Sequence, residues 1–409
     1  MLHGMDTAHL DRFAADAMRS RGLLPEFSAQ VMREAQAQRR SAPDATGDIR
    51  DLRRLTWFSI DNDDTQDLDQ LTVAEPLAGG AARLLVAIAD VDARVPAGSA
   101  IDGHAATNTT SVYTAARVFP MLPEILSTDL TSLHEERERL AVVVEMEIAP
   151  DGTVVGTQLY RACVVNRAKD LIADVMIAAN SATARFLAER GFPSIRRFLQ
   201  SPRRWERIVA LAASHGAELP AAPDAPALDR FLGERRAADP RGFADLSLAV
   251  VKLLGSGEYT AQPPDDQPQG HFGLAVNDYA HSTAPNRRFP DLVTQRLLKA
   301  AVAGDAPPYS LEALGDIARH CTLQEDNANR VERQVLKAAA AFLLHGRIGE
   351  VFDAIVTGTP AKGTFARIAH PMVEGRVVRG HQGLDVGDAV RLRLVAVDAA
   401  QGFIDFERA

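Results

Sequence analysis

Apolar and polar positions change period three times along this chain. Residues 6–40 carry helical spacing in two short stretches divided by Gly22. Asp6 or Thr7 can cap the first helix, and Pro25 can open the second. Residues 41–47, with Pro43 and Gly47, have linker composition and mark a first boundary. From about 50 to 168 the pattern turns mainly to strands. Residues 57–60, 84–91, 140–148 and 154–165 are strand-like, with a turn at Pro150-Asp151-Gly152. Helices then take over: 170–191, a second opening at Ser201-Pro202 and ending near Gly216, 244–254, one beginning near Pro290, and a long one from Ser310 to about His345. Strand runs followed by helix runs predict an α+β domain with a mixed β-sheet. The last stretch changes again. Residues 351–357, 363–368, 375–378, 389–397 and 402–407 read as five short strands, which suit a small closed barrel of the OB type.

These shifts divide the chain into an N-terminal helical domain (1–45), a central α+β domain (46–345) and a C-terminal OB-fold barrel (346–409). The first is read either as a packing element or as a helix-turn-helix-like contact to nucleic acid. At 46% hydrophobic and 24% charged residues, the composition is that of an ordinary globular protein. No apolar run reaches the ~18 residues of a membrane span, and the first ten residues do not resemble a signal peptide. Cys163 and Cys321 stand far apart outside any C-x-x-C spacing, so free thiols in a reducing cytoplasm are expected. A net charge of −9 opposes polyanion binding on average. Arginines nevertheless crowd two regions, at 185, 190, 196, 197, 203, 204 and 207, and at 367, 376, 379, 391 and 393.

The densest chemistry lies just after the first central strand. Asp61, Asp63, Asp64, Asp67 and Asp69 fall within nine residues. Their mutual repulsion makes folding costly without a cation, and carboxylate oxygens are hard ligands for Mg²⁺ or Mn²⁺. An extended chain at 67–69 puts Asp67 and Asp69 on one side and Leu68 on the other. A calcium loop of the EF-hand type needs Gly where Gln66 stands. A solvated acidic turn is the bland alternative.

Several separated blocks then acquire a common meaning. Ile60-Asp61 with Asp67-Leu68-Asp69, residues 86–91, Ser111-Val112-Tyr113 leading to 120–123, residues 176–180, and His271-Phe272-Gly273-Leu274 leading to Arg287-Arg288-Phe289 occur in that order. The chain resembles the ribonuclease II/R family, processive 3′→5′ exoribonucleases that include the exosome's catalytic subunit. The last strands are similar to the S1-type RNA-binding module that ends these enzymes. The resemblance implies that Asp61, Asp67 and Asp69 match three of four acidic residues that bind Mg²⁺, with Asp69 closest to the chemical step. It implies that Arg287 clamps the scissile phosphate, with Arg288 beside it on RNA, and that Tyr113 lies against the 3′-terminal nucleotide. A planar bidentate donor suits the first role and sequence-tolerant stacking the last.

Three departures qualify the match. The fourth acidic position is Gln70, which can still ligate a hard ion but brings no charge. The family pattern T-S-P-I-R-R reads Thr283-Ala284-Pro285-Asn286-Arg287-Arg288, and a family glutamate appears as Asp174. The helical hairpin of residues 1–45 is expected to stand where the family has paired cold-shock barrels, and a stretch between Ala168 and Asp170 is shorter. Weaker RNA binding, a larger role for the C-terminal barrel and a more open channel entrance are expected. The expected protein is thus a cytoplasmic, monomeric, Mg²⁺-dependent (Mn²⁺ also fitting) exoribonuclease acting on single-stranded RNA 3′ ends, with no membrane or obligate protein partner. The arginines of 185–207 would help guide the strand. A catalytically decayed RNA-binding protein on the same fold is the alternative, motivated by Gln70 and the altered 283–286 block. A metalloenzyme acting on a small phosphate ester would leave the barrel without a purpose.

Overall fold

The computed structural model describes residues 7–43, 45–59, 65–169, 174–199, 202, 205–238, 246, 250, 253, 254, 257–266, 278–359, 363–399 and 401–409, without the side chains of 167–169, 174 and 175. The chain forms two compact units. The larger holds Ser28–Thr109 and Leu122–Leu323, and the smaller holds Met1–Phe27, Thr110–Met121 and Gln324–Ala409.

The larger unit is built on strands β1 (Ile49–Asp51), β2 (Trp57–Ser59), β3 (Gln70–Pro76) and β4 (Ala82–Ala89). A short hairpin, β5 (Val112–Tyr113) with β6 (Val118–Phe119), follows in sequence and belongs to the smaller unit. The sheet then gains β7 (Glu138–Ile148) and β8 (Val154–Lys169), giving the order β1-β8-β2-β3-β4-β7. A further β7–β8 pairing returns the last strand onto β8, so five of the six strands run in a ring. The expected turn closes that hairpin, with Gly152 at φ 87° and the Ala149 N–H donating to the Thr153 carbonyl at 2.8 Å. Strand β4 has no polar alternation at its end because Leu85, Val86, Ala87, Ile88 and Ala89 are all buried, as in a strand covered on both faces.

The helix Phe289–Ala303 begins with Pro290 in its first turn and ends on Gly304 in the left-handed conformation (φ 76°). Every residue from Phe289 to Leu298 is buried, which obliges the polar ones to find partners. Gln295 receives the Asp92 N–H at 3.0 Å and donates to the Ala89 carbonyl at 2.9 Å. Arg296 donates to Asp92 and Asp102, and Lys299 to Asp90 and Asp92. Arg161 of β8 also pairs with Asp90, at 2.7 Å. This ion cluster fixes the helix to the carboxyl end of β4.

In the smaller unit, the Thr7–Arg19 helix contributes Ala14 and Met18 to a core completed by Leu23, Val112, Phe119, Val331 and Val335. Strands β9 (Ser194–Phe198) and β10 (Glu258–Gln262) pair in the larger unit. The C-terminal strands β11 (Val351–Gly358), β12 (Thr364–Ile368), β13 (Val373–Arg379), β14 (Ala389–Asp398) and β15 (Phe403–Arg408) close a barrel in the order β11-β12-β13-β15-β14. Its core of Phe352, Ile368, Leu392, Leu394, Ile404 and Phe406 continues onto Ala341 and Leu344 of the Leu311–Leu344 helix. Gly375 is required there, since a Cβ would stand 2.5 Å from the Phe406 ring.

Two expectations need correction. Ser28, not Pro25, opens the second N-terminal helix (Ala29–Gln38), its hydroxyl accepting the Val31 N–H at 3.2 Å. The two N-terminal helices also fall in different compact units. The expected helix at 244–254 lies largely outside the described residues. Among the described residues no helix is long and apolar enough to cross a membrane.

Candidate active site

Asp69 immediately precedes β3, where its carbonyl accepts the Ala89 N–H at 2.8 Å. The residues before it are held by the Ser132–Leu133 segment. Ser132 Oγ donates to the Gln66 carbonyl (2.7 Å) and accepts the Leu68 N–H (2.9 Å), while the Leu133 N–H donates to the Leu68 carbonyl (2.9 Å). Leu68 is thereby buried and Asp69 is placed on a fixed backbone, only 3% exposed.

The Asp69 carboxylate meets the 284–288 turn. Its Oδ1 accepts the Asn286 peptide N–H at 3.1 Å, and its Oδ2 lies 3.3 Å from Arg287 Nε. Asp291, in the first turn of the following helix, shapes that turn by accepting the Ala284 N–H at 2.8 Å and Arg288 Nη2 at 2.6 Å. Asn180 secures the segment upstream, accepting the Ser282 N–H and hydroxyl at 2.9 and 2.8 Å and donating to the Tyr279 hydroxyl at 3.1 Å. Ser132, Asn180 and Asp291 are positioning groups whose roles the linear sequence did not reveal.

Burial dominates the electrostatics. It pushes the Asp69 carboxyl up to about 7, against the opposing pull of Arg287 and the Asn286 N–H, and the Asp67 charge pushes the same way. Asp67 is partly exposed, and its carboxylate has no hydrogen-bond or ion-pair partner among the described residues. A buried carboxylate beside an unmatched one is a donor set that a divalent cation would stabilise. Gln70 is the first residue of β3 and is partly buried. Asp61 lies outside the described residues, as do Asp63, Asp64 and the 271–274 block. Among the described residues, no group of three or more His, Cys, Asp or Glu gathers to hold a metal.

The paired arginines have different surroundings. Arg287 is 41% exposed, and its Nη1 and Nη2 have no partner among the described residues. Burial opposes the charge on Arg288, but Asp291 more than offsets this and holds the guanidinium above its ordinary range. Arg288 Nη2 is thus engaged by the turn, with the side chain still 20% exposed. Part of the 185–207 cluster turns inward, although Arg190 is exposed. Arg196 is buried and donates to the Ala184 carbonyl, while Arg197 covers the Tyr259 ring at 4.5 Å. Arg185 and Arg207 are exposed, and Arg203 and Arg204 lie outside the described residues. On the barrel, Arg379 and Arg393 share Glu407.

Tyr113 belongs to the smaller unit. Strand alternation turns Val112 into the core and leaves Tyr113 46% exposed, which excludes a core tyrosine. Its peptide N–H donates to Glu332 at 2.8 Å, and burial raises that carboxyl despite the bond. Asp174 opens the Asp174–Glu189 helix, but its side chain is outside the description.

The described residues thus combine a ring of strands, a carboxylate–arginine junction next to a strand start and a five-stranded barrel. The chain belongs to the RNB family: the RNB domain matches residues 49–170 and 165–304, and an RNase II-type exonuclease C-terminal S1 domain matches residues 350–409. Ribonuclease R 1 of Lactococcus lactis is 26% identical over 500 aligned positions, covering 96% of this chain and 60% of that protein. Ribonuclease R of Escherichia coli is 26% identical over 477, covering 87% and 57%. The chain therefore spans about 60% of the length of these relatives. The apo form of Mycoplasma genitalium RNase R superposes with a TM-score of 0.80 at 19% identity, covering 97% of this chain and 77% of that one. Yeast Ssd1, a pseudonuclease, gives 0.68 at 16% identity over 86% of this chain and 54% of that one.

Proposed function

We propose that this chain is a metal-dependent 3′→5′ exoribonuclease that releases nucleoside 5′-monophosphates from single-stranded RNA. The observation carrying this reading is the junction of buried Asp69 with half-exposed Arg287, whose nearest separation is 3.3 Å. Asp67, Asp69 and Gln70 of this chain would hold the cation, with Asp61 completing the set. When bound, Mg²⁺ or Mn²⁺ would lower the pKa of an attacking water and stabilise the leaving 3′-oxygen. Arg287 presents its outer N–H groups to the phosphoryl oxygens, where developing negative charge strengthens the hydrogen bonds. The Asn286 peptide N–H orients Asp69 throughout. Tyr113 offers an exposed ring for stacking on the terminal base, worth about 1–3 kcal/mol per base. The barrel supplies RNA affinity outside the reacting centre.

RNA as the ligand is supported by the complexes of Mycoplasma genitalium RNase R with ribose-methylated single-stranded RNA and with double-stranded RNA, both of the same fold. The enzyme would work as a monomer in the cytoplasm, where the free thiols Cys163 and Cys321 stay reduced.

The test is a 5′-labelled single-stranded RNA incubated with Mg²⁺, Mn²⁺ or chelator, beside Asp69→Asn. The expected result is a ladder shortening from the 3′ end that needs metal and slows by at least about 10³-fold in the variant. RNA that is bound but left intact under every condition would defeat the exonuclease reading. The neutral Gln70 would then mark a decayed site, and Gln70→Asp would be tried for rescue.

A further inference from the structure

The larger unit holds a cavity of about 260 Å³ whose walls include Pro43, Arg94, Leu130, Arg139, Leu140 and Cys163. Asp67, Asp69, Gln70 and Arg287 take no part in those walls. The chemistry of the cavity lies in its two arginines.

Arg94 Nη1 donates to the Gln38 and Ser41 carbonyls at 2.7 and 2.9 Å. Its Nε and Nη2 have no partner among the described residues. Arg139 donates to the carbonyls of Ser132, Glu138 and Asp129 at 3.0, 3.1 and 2.9 Å. Carbonyls occupy N–H groups without cancelling the charge. The Asp129 carboxylate stands 4.0 Å from Arg139 and pairs more closely with Arg39, at 3.1 Å. Burial pushes both guanidiniums down from their ordinary range, with Asp129 pulling the other way. Arg94 adds to the push on Arg139, so the two cations feel each other across the cavity.

The acids on the walls are already matched. Asp90 is buried between Arg161 and Lys299, and Glu138 pairs with Arg53 at 2.8 Å. Burial holds the Cys163 thiol above its ordinary value, so it adds no negative charge. Two partly buried cations are therefore left in excess beside an apolar wall.

We propose that this cavity is an anion site, separate from the Asp69–Arg287 junction, that takes the phosphate group of a free phosphate ion or of a nucleoside 5′-monophosphate. Planar guanidiniums match an oxyanion, and the occupant brings the negative charge that the protein does not supply. The site does not depend on the metal-dependent reading. Arg139 also holds the carbonyl of Ser132, whose hydroxyl bonds the Gln66 carbonyl and the Leu68 N–H. That arginine ties the site to the support of Asp69.

Cys163 can report occupancy, since it lines the cavity and is partly exposed, whereas Cys321 is buried. The test is alkylation of the full chain by iodoacetamide in chelator, with the Cys163 peptide quantified by mass spectrometry. Inorganic phosphate, AMP and adenosine are compared on wild type, Arg94→Gln and Arg139→Gln. An occupant at about ten times its Kd should slow alkylation about tenfold. Loss of either guanidinium should raise that Kd about tenfold or more. Protection by phosphate and AMP alike supports the site with the oxyanion as ligand, and protection by AMP alone supports it with the nucleotide. Arg287→Gln should leave the protection intact. Protection lost in that variant would place the ligand at the candidate active site and overturn the separate one. Adenosine protecting as well as AMP, or no protection by phosphate and AMP, would also overturn it, as would an unchanged Kd in both arginine variants. Where neither of those variants folds, AMP against adenosine on wild type and on Arg287→Gln decides.

Discussion

At the scale of single residues, the site depends on where two guanidinium groups point. Arg287 keeps two nitrogens for a ligand while touching Asp69, whereas Arg288 pairs with Asp291. Arg287→Lys retains a charge but loses the planar fork. Turnover of single-stranded RNA should fall about 10- to 100-fold, mainly in kcat, as steady-state kinetics would show. His104 gives a second prediction, of stability. It is buried in the helix Ala100–Asn108, and burial depresses its imidazolium to about 4 from 6.5. The neutral ring is therefore the folded-state form. Its contribution is fully present above pH 6.5 and is lost as pH falls toward 4. His104→Gln should lose less Tm than wild type over that interval, measured by thermal melting against pH. Neither pairing was legible beforehand. In the sequence Arg287 and Arg288 are adjacent equals, and only the turn at 284–288 sends them to different carboxylates.

At the scale of elements, the strands and the long helices were readable because their periodicity is strong. Strands β4, β7 and β8 and the Leu311–Leu344 helix fall within a few residues of the pattern. Strand β3 was not, since Gln70-Leu71-Thr72-Val73 follows an acidic run that masks its start. The barrel strands alternate openly; buried and exposed positions exchange along β14. The Gln66–Leu68 segment leading into β3 is held by the Leu133 N–H and by one hydroxyl, Ser132 Oγ, which makes two hydrogen bonds. Ser132→Ala should cost about 1–3 kcal/mol of stability in denaturant titration, because the Leu68 N–H is left buried without its partner. Activity should fall as well, through misplacement of Asp69.

At the scale of the whole molecule, the smaller unit gathers Met1–Phe27, Thr110–Met121 and Gln324–Ala409. Segments more than 300 positions apart share a core, and Asn327 Nδ2 donates to the Arg21 carbonyl at 3.3 Å. Met18 is fully buried in that core. Met18→Asp places an unpaired carboxyl among apolar side chains and should destabilise the full chain by about 3 kcal/mol or more, read from its unfolding midpoint. A purely local helix would tolerate the change with little loss.

The sequence by itself determined the order of elements, the α+β class, the C-terminal barrel and the candidate chemistry, because these follow from local period, turn residues and the identity of charged groups. It determined that aspartates cluster around residues 61–69 and that arginines follow near 287. Tertiary structure decided which of them meet. The Asp69–Arg287 contact joins residues 218 positions apart, and the shift of Asp69 arises from burial that no linear spacing encodes. It also consigned Arg196 and Arg288 to internal partners, and turned Tyr113 outward. Folding assigns a charged side chain to solvent, to a partner or to a site according to what lies across from it, and that neighbour is set by chain segments far away in sequence.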